Sequence, residues 1–353
     1  MSLLDQFGFP WQQARLSGSG FAPGVDRYEV EMSGFPVNRV IAPSDQTGFP
    51  TSPHYLTAVP ARLPSLNPFV AYLGNGVLVS YPSLAGTAGF RSTDYGQTWR
   101  PLTMSNLEKT NWVSDGAGFG IISCGVNFAS AVALVTRDYG QTWQQVTVPS
   151  LLHYARAVQG GFGVTFGFNS NTCGITRDYG QTWQTVVHGG SLAFNSAAIR
   201  QDGLVLACAR NTTQGLVSTH YGFSWSFTGL PATTASNSSS TLTAINDLIF
   251  FSAGDVGADR RPWVGFDTPL RWGRVTLEGG GTISNSVSIW FHRGRYWMLD
   301  GVALRAWSST DGFLWARAPL AGAPLPGGTG LYSSTTAGPI LGNGANTNVF
   351  TLA

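Results

Sequence analysis

The sequence predicts an all-β fold, a β-propeller built from four-stranded blades. Three observations predict it: an eight-residue motif that recurs at nearly fixed spacing, short strand-like stretches between its copies, and a composition rich in glycine and poor in charge. The 353 residues include 45 glycines, and charged residues make up only 11% of them. Short strands joined by tight turns are therefore expected rather than amphipathic helices.

The repeated motif is clearest as STDYGQTW at 92–99 and as TRDYGQTW at 136–143 and 176–183. Variant copies are STHYGFSW, GFDTPLRW and SSTDGFLW. The spacings between successive motif tryptophans are 44, 40, 42, 47 and 43 residues, which is the length of one propeller blade. These tryptophans are Trp99, Trp143, Trp183, Trp225, Trp272 and Trp315.

The motif is predicted to connect the third and fourth strands of each blade. In the three clear copies, the aspartate is expected to accept hydrogen bonds from backbone amides and from the threonine hydroxyl four residues on. The glycine is expected to adopt the positive φ of a tight turn, and the tryptophan to pack against the neighbouring blade. These residues are Asp94, Gly96, Asp138, Gly140, Asp178 and Gly180, with the six tryptophans.

The variant copies indicate that this role is structural. His220 stands where the aspartate is expected in the fourth copy, Pro269 replaces the glycine of the fifth, and Thr310 occupies the aspartate position of the sixth. A catalytic residue could not change so freely, whereas a turn brace can.

The motif resembles the Asp-box, or BNR repeat, of sialidase-like β-propellers, S-x-D-x-G-x-T-W. The resemblance covers about residues 56–353, and in that superfamily the boxes lie on the face opposite the ligand site. It implies an architecture but not one activity, because the superfamily contains enzymes, receptors and assembly factors.

Seven blades are predicted, with a strand from the N-terminal region, at 27–32 or 38–43, completing the last one; six blades followed by a tail are the alternative. A closed ring leaves no free central edge. Residues 1–55 lie outside the repeats and are predicted to form an extended arm, with the propeller at 56–353. The arm either wraps the propeller or docks on a larger assembly.

A sialidase-type glycoside hydrolase is the enzymatic alternative. The resemblance would make Arg62 a carboxylate-binding arginine, Tyr332 the nucleophile and Glu278 its activating acid. The family's acid/base aspartate is missing, because the loop YPSLAGTAG where it should stand contains no acid. A non-catalytic module is therefore preferred, with no catalytic residue.

A binding site is predicted in the loop SAGDVGADRRPW of blade five, at 252–263. Two arginines beside a tryptophan suit a carboxylate, a sugar or a protein surface, although the loop charges could instead pair with one another. The predicted binding residues are Asp255, Asp259, Arg260, Arg261 and Trp263.

Several partner classes are not expected. Basic residues form no run that could follow a nucleic acid, and the five histidines are scattered, so neither nucleic acid, metal nor any other cofactor is predicted. No stretch has the length and apolarity of a signal peptide or a membrane span. Cys124, Cys173 and Cys208 are expected to be buried free thiols.

The predicted function is that of a structural or glycan-binding receptor module. A single lysine, Lys109, abundant small polar residues and low charge resemble the composition of bacteriophage virion proteins of the tail, baseplate or fibre. The expected partners are other proteins of an assembly, reached through the arm, and a glycan on the face opposite the motif. The expected location is the virion, or otherwise the cytoplasm, as a soluble protein.

Overall fold

The computed structural model describes most of the region after residue 55 and two short segments before it. Only the backbone is described for the strands at 28–32, 35–39, 56–62, 320–322, 330–335, 338–342 and 348–352 and for positions 68, 110 and 111. The described ranges are 28–32, 35–39, 56–62, 68–82, 86–124, 131–149, 155–167, 170–231, 241–252, 260–280, 283, 287–292, 294–300, 303–322, 330–335, 338–342 and 348–352.

The chain divides into two compact units, Met1–Thr51 and Ser52–Ala353. The described part of the first unit is an antiparallel hairpin of β1 (Tyr28–Met32) and β2 (Phe35–Arg39). The second unit begins with β3 (Leu56–Arg62). The boundary at residue 55 and the role of the arm stay predictions.

Six blades follow, each folded from one contiguous stretch of chain into four antiparallel strands. Blades one to three contain β4 (Pro68–Gly74), β5 (Val77–Pro82), β6 (Ala88–Ser92) and β7 (Arg100–Thr103); β8 (Lys109–Ser114), β9 (Gly120–Cys124), β10 (Val132–Thr136) and β11 (Gln144–Thr147); and β12 (Arg156–Gln159), β13 (Phe162–Phe166), β14 (Ser170–Thr176) and β15 (Gln184–Leu192).

Blades four to six repeat this order, and blade six gains β24 as a fifth, parallel strand beside its outer strand. They contain β16 (Phe194–Ile199), β17 (Val205–Ala209), β18 (Gln214–Ser218) and β19 (Ser226–Gly229); β20 (Thr241–Ile245), β21 (Leu248–Ser252), β22 (Trp263–Phe266) and β23 (Arg271–Arg274); and β24 (Thr276–Leu277), β25 (Val287–His292), β26 (Arg295–Asp300), β27 (Arg305–Ser309) and β28 (Leu314–Ala318).

A closing sheet joins both ends of the second unit and is the seventh sheet of the ring. Its order is β29-β3-β32-β31-β30, where β3 pairs antiparallel with β32. The inner strand β30 lies against β4 of blade one and β25 of blade six, so the ring is closed. The strands from the C-terminal side are β29 (Leu320–Gly322), β30 (Gly330–Thr335), β31 (Gly338–Gly342) and β32 (Asn348–Leu352).

The prediction of an all-β propeller is confirmed. The segments predicted to supply the ring-closing strand were wrong. The segments proposed for that role, 27–32 and 38–43, overlap β1 and β2, which pair with each other. The closing strand is β3, and the reason is connectivity. It ends a few residues before β4, so the chain passes from the outer strand of one blade to the inner strand of the next, as between the contiguous blades. The alternative of six blades counts only the blades that are each formed from one contiguous stretch of chain.

Strand direction divides the turns between two faces. The turns between first and second strands lie at the same end as the octapeptide turns, because the amide of Tyr95 donates to the carbonyl of Gly76 at 2.9 Å, and the same bond recurs in blade three from Tyr179 to Gly161. This end is called the octapeptide face. The other end, called the loop face, holds the connections between second and third strands and those between blades.

The core lies between blades, and the motif tryptophans fill it. Trp143 packs with Leu73 and Val79 of the preceding blade. The ring of Trp225 meets that of Phe166 edge-on at a centroid distance of 5.2 Å, again across a blade boundary. Each such burial stabilises the fold by roughly 1.5–3 kcal/mol. Trp143 and Trp225 thus hold their blades to the preceding ones.

Candidate functional site

The octapeptide turns are closed by the aspartate hydrogen bonds that the sequence predicts. In blade two, Asp138 accepts from the backbone amide of Thr142 at 2.9 Å and from its hydroxyl at 2.6 Å, while the hydroxyl of Thr136 donates at 2.9 Å. The Thr136 oxygen in turn accepts from the amide of Gly140 at 2.9 Å. Asp94 and Asp178 make the corresponding contacts in blades one and three.

The pKa values of these carboxyl groups report the same bonding. Burial raises the pKa of Asp178, but hydrogen bonds from Thr182, Thr176 and a nearby backbone amide outweigh it and bring the pKa to about 2. The pKa values of Asp94 and Asp138 are also lowered against a raising effect of burial, by hydrogen bonds of the same kind. The aspartates are therefore ionised turn braces at neutral pH.

The motif tyrosine has a structural role that sequence reasoning missed. Tyr139 and Tyr179 adopt φ values of 58° and 59°, the left-handed region that non-glycine residues rarely occupy. The ring of Tyr179 covers the first turn of its blade so closely that a Cβ on Gly161 would lie 2.7 Å from its Cε2 atom. Its amide donates to the carbonyl of Gly161, and this contact holds the strained conformation.

Arginines link successive octapeptide turns around the ring. Nε of Arg91 donates to the carbonyl of Tyr139 in the next blade at 2.9 Å, and Nε of Arg137 donates to the carbonyl of Tyr179 at 2.7 Å. Arg177 continues the series by donating to the carbonyl of Tyr221 at 3.1 Å. Arg137 and Arg177 occupy the same motif position, so their repetition was a signal that could have predicted these links.

The link from blade four to blade five uses a different arginine. Arg200 lies in the first turn of blade four, and its Nη1 donates to the carbonyls of Asp267 at 2.9 Å and Asp247 at 3.3 Å in blade five. Its guanidinium also pairs with Asp202. The connection between blades thus persists where the motif has changed.

The sixth octapeptide turn corrects the sequence alignment. Thr310 was assigned to the aspartate position, but Asp311 performs that role: it accepts from the hydroxyl of Ser309 at 2.9 Å and from the amide of Phe313 at 2.8 Å. The turn is one residue shorter than the others. Nε1 of Trp315 still donates to the carbonyl of Gly312, as Trp99 does to Gly96 in blade one.

The loop face has a different charge balance. Most aspartates of the second unit lie in turns of the octapeptide face, paired with amides or arginines, whereas the described loop face is dominated by cations. Its acids are Glu108, Glu278 and Asp300; Asp300 is buried and paired with Arg305, and Glu278 accepts from the backbone amide of Arg317. The cationic residues there are Lys109, Arg156, Arg210, Arg260, Arg261, Arg274 and Arg305.

The blade-five loop brings part of the predicted binding set together. The guanidinium of Arg274 lies over the ring of Trp263, 4.7 Å from its centroid, and the two residues are directly opposite in the sheet. Arg261 donates through Nη1 to the carbonyl of Val275 at 3.2 Å, so part of its role is to brace the outer strand. Arg260 is half-exposed, and no hydrogen bond joins it to any described residue.

The two aspartates of the predicted set, Asp255 and Asp259, lie outside the described residues. Arg274 was not predicted, because only its pairing opposite Trp263 brings it to the loop. The described residues form a stacked cation and aromatic ring with one further arginine beside it. Such a group can bind a carboxylate or the face of a sugar.

The residues of the glycosidase alternative lie on three separate strands or turns. Arg62 is on the outer strand β3 of the closing sheet, and Tyr332 is at an irregularity of its inner strand β30. Glu278 follows β24 at the outer edge of blade six, where Oε2 accepts from the amide of Arg317 at 2.6 Å. The side chains of Arg62 and Tyr332 are outside the description, so their convergence stays an untested prediction.

Two features are absent from the described part of the chain. It contains no cluster of three or more histidine, cysteine, aspartate or glutamate side chains placed to hold a metal ion. It also contains no helix long and apolar enough to cross a membrane. Cys124, Cys173 and Cys208 are free thiols and buried.

Comparison with known proteins identifies the fold. No family model and no curated protein matches the chain. Among solved structures, YCF48 bound to D1 peptide has a TM-score of 0.57 at 15% identity and covers 86% of this chain and 97% of its own. YCF48 from Cyanidioschyzon merolae has a TM-score of 0.54 at 15% identity, covering 83% and 98%.

A second group of similar structures contains enzymes. A catalytically inactive virginiamycin B lyase from Staphylococcus aureus with quinupristin has a TM-score of 0.58 at 13% identity and covers 84% of this chain and 99% of its own. A streptogramin B lyase has a TM-score of 0.56 at 12% identity, covering 85% and 97%. At such identities the likeness concerns the propeller fold alone.

Proposed function

We propose that this protein is a non-catalytic β-propeller module that binds an acidic glycan through its loop face. The observation that carries the proposal is the group in blade five, where Arg274 stacks on Trp263 beside the half-exposed Arg260. Stacking on an aromatic ring suits the apolar face of a sugar, and a guanidinium without a hydrogen bond to any described residue suits its carboxylate. The excess of cations on the loop face would favour approach of an anionic ligand.

The octapeptide face supports the proposal by contrast. Its aspartates and arginines are engaged in closing turns and joining blades, so few of its charges are available for a ligand. A neighbour in fold, YCF48, has been solved with a bound peptide, which indicates that a propeller of this shape can serve as a binding module.

The wider role we propose is that of a structural or receptor-binding component of a phage virion, in the tail, baseplate or fibre. The single lysine and the low charge support this setting. Residues 1–55 would dock on the other proteins of the particle. Sedimentation of the native protein tests this role: recovery in a megadalton particle, lost on deletion of residues 1–45, supports it, and a free monomer from the native source contradicts it.

Glycan binding is tested on an array that contains matched carboxylated and neutral oligosaccharides. We expect retention on the carboxylated members, weakening as salt is raised because exposed charges are screened. Equal retention on the neutral members, or none on either, would contradict the proposal. Release of free sugar from a sialoside, lost in Tyr332→Phe, would favour the glycosidase alternative instead.

A further inference from the structure

Blade six shows how a fifth strand covers the outer edge of a blade. The amide of Thr276 in β24 donates to the carbonyl of Phe313 at 2.8 Å, and the amide of Glu278 donates to that of Trp315 at 2.9 Å. Leu277 lies level with Trp315 in this parallel pairing and is only 4% exposed. The closing sheet repeats the arrangement, since β29 pairs parallel with its outer strand β3. An outer edge of this propeller can therefore accept an extended strand.

Blade four has the same motif ending but no such strand. Its turn ends in Gly-Phe-Ser-Trp where the turn of blade six ends in Gly-Phe-Leu-Trp, so Phe223 corresponds to Phe313. Trp225 likewise corresponds to Trp315. The described sheet of blade four ends at β19, so no strand in it donates to the carbonyls of Phe223 and Trp225 from outside.

The connection before blade four is too short to supply the missing strand. Ala193 alone separates β15 from β16, whereas β24 belongs to the longer connection before blade six, at 275–286. The preceding connection therefore cannot cover the outer edge of blade four as it does in blade six.

The phenylalanine of the motif is buried in blade six and exposed in blade four. Phe313 is 7% exposed, and its ring meets that of Phe266 in blade five at a centroid distance of 5.3 Å. Phe223 is 72% exposed, although the guanidinium of Arg177 in blade three lies 3.9 Å from its ring centroid. The same side chain at the same motif position is thus covered where the fifth strand is present and left open where it is not.

A second exposed phenylalanine extends this surface along β19. Phe227 is 51% exposed, and its ring lies against Gly190 of blade three. Phe223, Trp225 and Phe227 alternate along the chain and all contact blade three, so they point to one side of the outer strand. We call these three residues, with Arg177, the blade-four rim. Blades one to three have glutamine in place of Phe223, at Gln97, Gln141 and Gln181.

Arg177 gives the blade-four rim a positive charge. It is exposed, its Nη2 donates to the carbonyl of Tyr221 at 3.1 Å, and no carboxylate of the described chain pairs with it. The strand that covers blade six carries an acid, Glu278, directly after the buried Leu277. An apolar residue followed by an acidic one therefore complements this rim in polarity and charge.

We propose that the blade-four rim binds an extended peptide segment of a partner protein as a parallel fifth strand, with an apolar residue level with Trp225 and an acidic residue next to it. Strand addition of this kind takes its affinity from backbone hydrogen bonds to an exposed edge and its selectivity from the side chains beside them. The carbonyls of Phe223 and Trp225 are the acceptors. This interaction goes beyond the proposed function and does not depend on glycan binding.

A free peptide with the sequence of residues 273–280, GRVTLEGG, tests the site, because its central residues form the strand that covers blade six. Its ends are acetylated and amidated, and binding is followed by fluorescence anisotropy with protein up to about 1 mM. We expect saturable binding, and Phe223→Gln should weaken it at least about fivefold by removing the apolar contact. The same peptide N-methylated at the positions of Thr276 and Glu278 lacks both donors and should not bind.

The matched controls keep either the ring or the exposure. Phe223→Tyr keeps the ring and should bind within about twofold of the unmodified protein. Gln181→Ala changes the corresponding exposed residue of blade three and should leave the affinity unchanged. Because Phe223 is mostly exposed, Phe223→Gln should also leave the unfolding temperature unchanged.

Four outcomes would overturn the proposal. They are no binding up to the highest concentration, equal binding of the N-methylated peptide, equal binding by Phe223→Gln, and self-association in sedimentation that Phe223→Gln abolishes. The last result would assign the rim to a second copy of the chain. Because the glycan array measures binding to the loop face, this proposal and the proposed function fail separately.

Discussion

The two faces of this propeller use similar residues for different purposes. On the octapeptide face, Arg137 donates a hydrogen bond to the next blade and Asp178 closes a turn, so these charged groups are engaged in contacts within the fold. On the loop face, cations outnumber acids, and Arg260 meets no described partner. The difference teaches that repetition of a motif marks bracing of the fold, and it is the reason why we propose the loop face as the binding surface.

The largest effect on the bracing side is expected from the tryptophan of blade six. Trp315 is fully buried, and its ring meets Phe250 of blade five at 6.1 Å. Trp315→Ala should lower the free energy of unfolding by about 3–5 kcal/mol, because it leaves a large cavity between blades. Denaturant unfolding measures this, and a loss below about 1 kcal/mol would mean that the tryptophans do not hold the blades together.

A somewhat smaller loss is expected at the glycine of an octapeptide turn. Gly140 has a φ of 70°, and a Cβ there would lie 2.7 Å from side-chain atoms of both Leu73 and Val79 in blade one. Gly140→Ala should cost roughly 2–3 kcal/mol through backbone strain and overpacking. The matched control is Gly160→Ala, which also has a positive φ but open space around it. Equal losses in the two variants would exclude the packing contribution.

The aspartate brace should show itself in the pH dependence of stability. The pKa of Asp178 is about 2 in the folded protein, below its usual value of 3.8. A lowered pKa means that the ionised group stabilises the fold above about pH 4 and that this contribution is lost as pH falls towards 2. Asp178→Ala should lower the free energy of unfolding by about 1–2 kcal/mol at pH 7. In this variant, the loss of stability that Asp178 causes between about pH 4 and pH 2 should be absent.

If the free energy of unfolding of Asp178→Ala depends on pH between 4 and 2 as that of the unmodified protein does, the claim that ionised Asp178 stabilises its turn is contradicted. The turn of blade four offers an internal comparison, because His220 stands in place of the aspartate there. Substitution of His220 by alanine should leave the acid profile between pH 4 and 2 as it is.

The smallest effect is expected from a single link between blades. Arg137→Ala removes the hydrogen bond from a half-exposed guanidinium to the carbonyl of Tyr179 and a second one to Oε1 of Gln144, and we expect the free energy of unfolding to fall by about 0.5–1 kcal/mol. Arg100→Ala, an exposed arginine on the same face, should change stability by less. If the two variants behave alike, the inter-blade links contribute nothing measurable.

The sequence predicted the periodic part of the fold better than its closure. Six octapeptides at blade spacing indicated the contiguous blades, because each turn needs its own aspartate or a substitute. The closing strand carries no motif, so β3 was not recognised. Asp311 was missed because the alignment assumed turns of equal length, and pairs such as Arg274 with Trp263 depend on sheet register.

The candidate site was predictable only in part for a related reason. Arg260, Arg261 and Trp263 stand together in the sequence, whereas Arg274 reaches Trp263 only through the pairing of β22 with β23. The burial of the only lysine has no local signature, since its partners are backbone carbonyls of Gly86 and Leu107.

The most direct test of the contrast between the faces is one paired measurement of affinity for a carboxylated glycan. Arg260→Ala removes a cation from the loop face, and Arg271→Ala removes one from the octapeptide face, where it pairs with Asp267. We predict that Arg260→Ala weakens binding about tenfold with an unchanged unfolding temperature, and that Arg271→Ala leaves affinity unchanged. Equal weakening by both variants, or weakening by Arg271→Ala alone, would contradict the assignment of binding to the loop face.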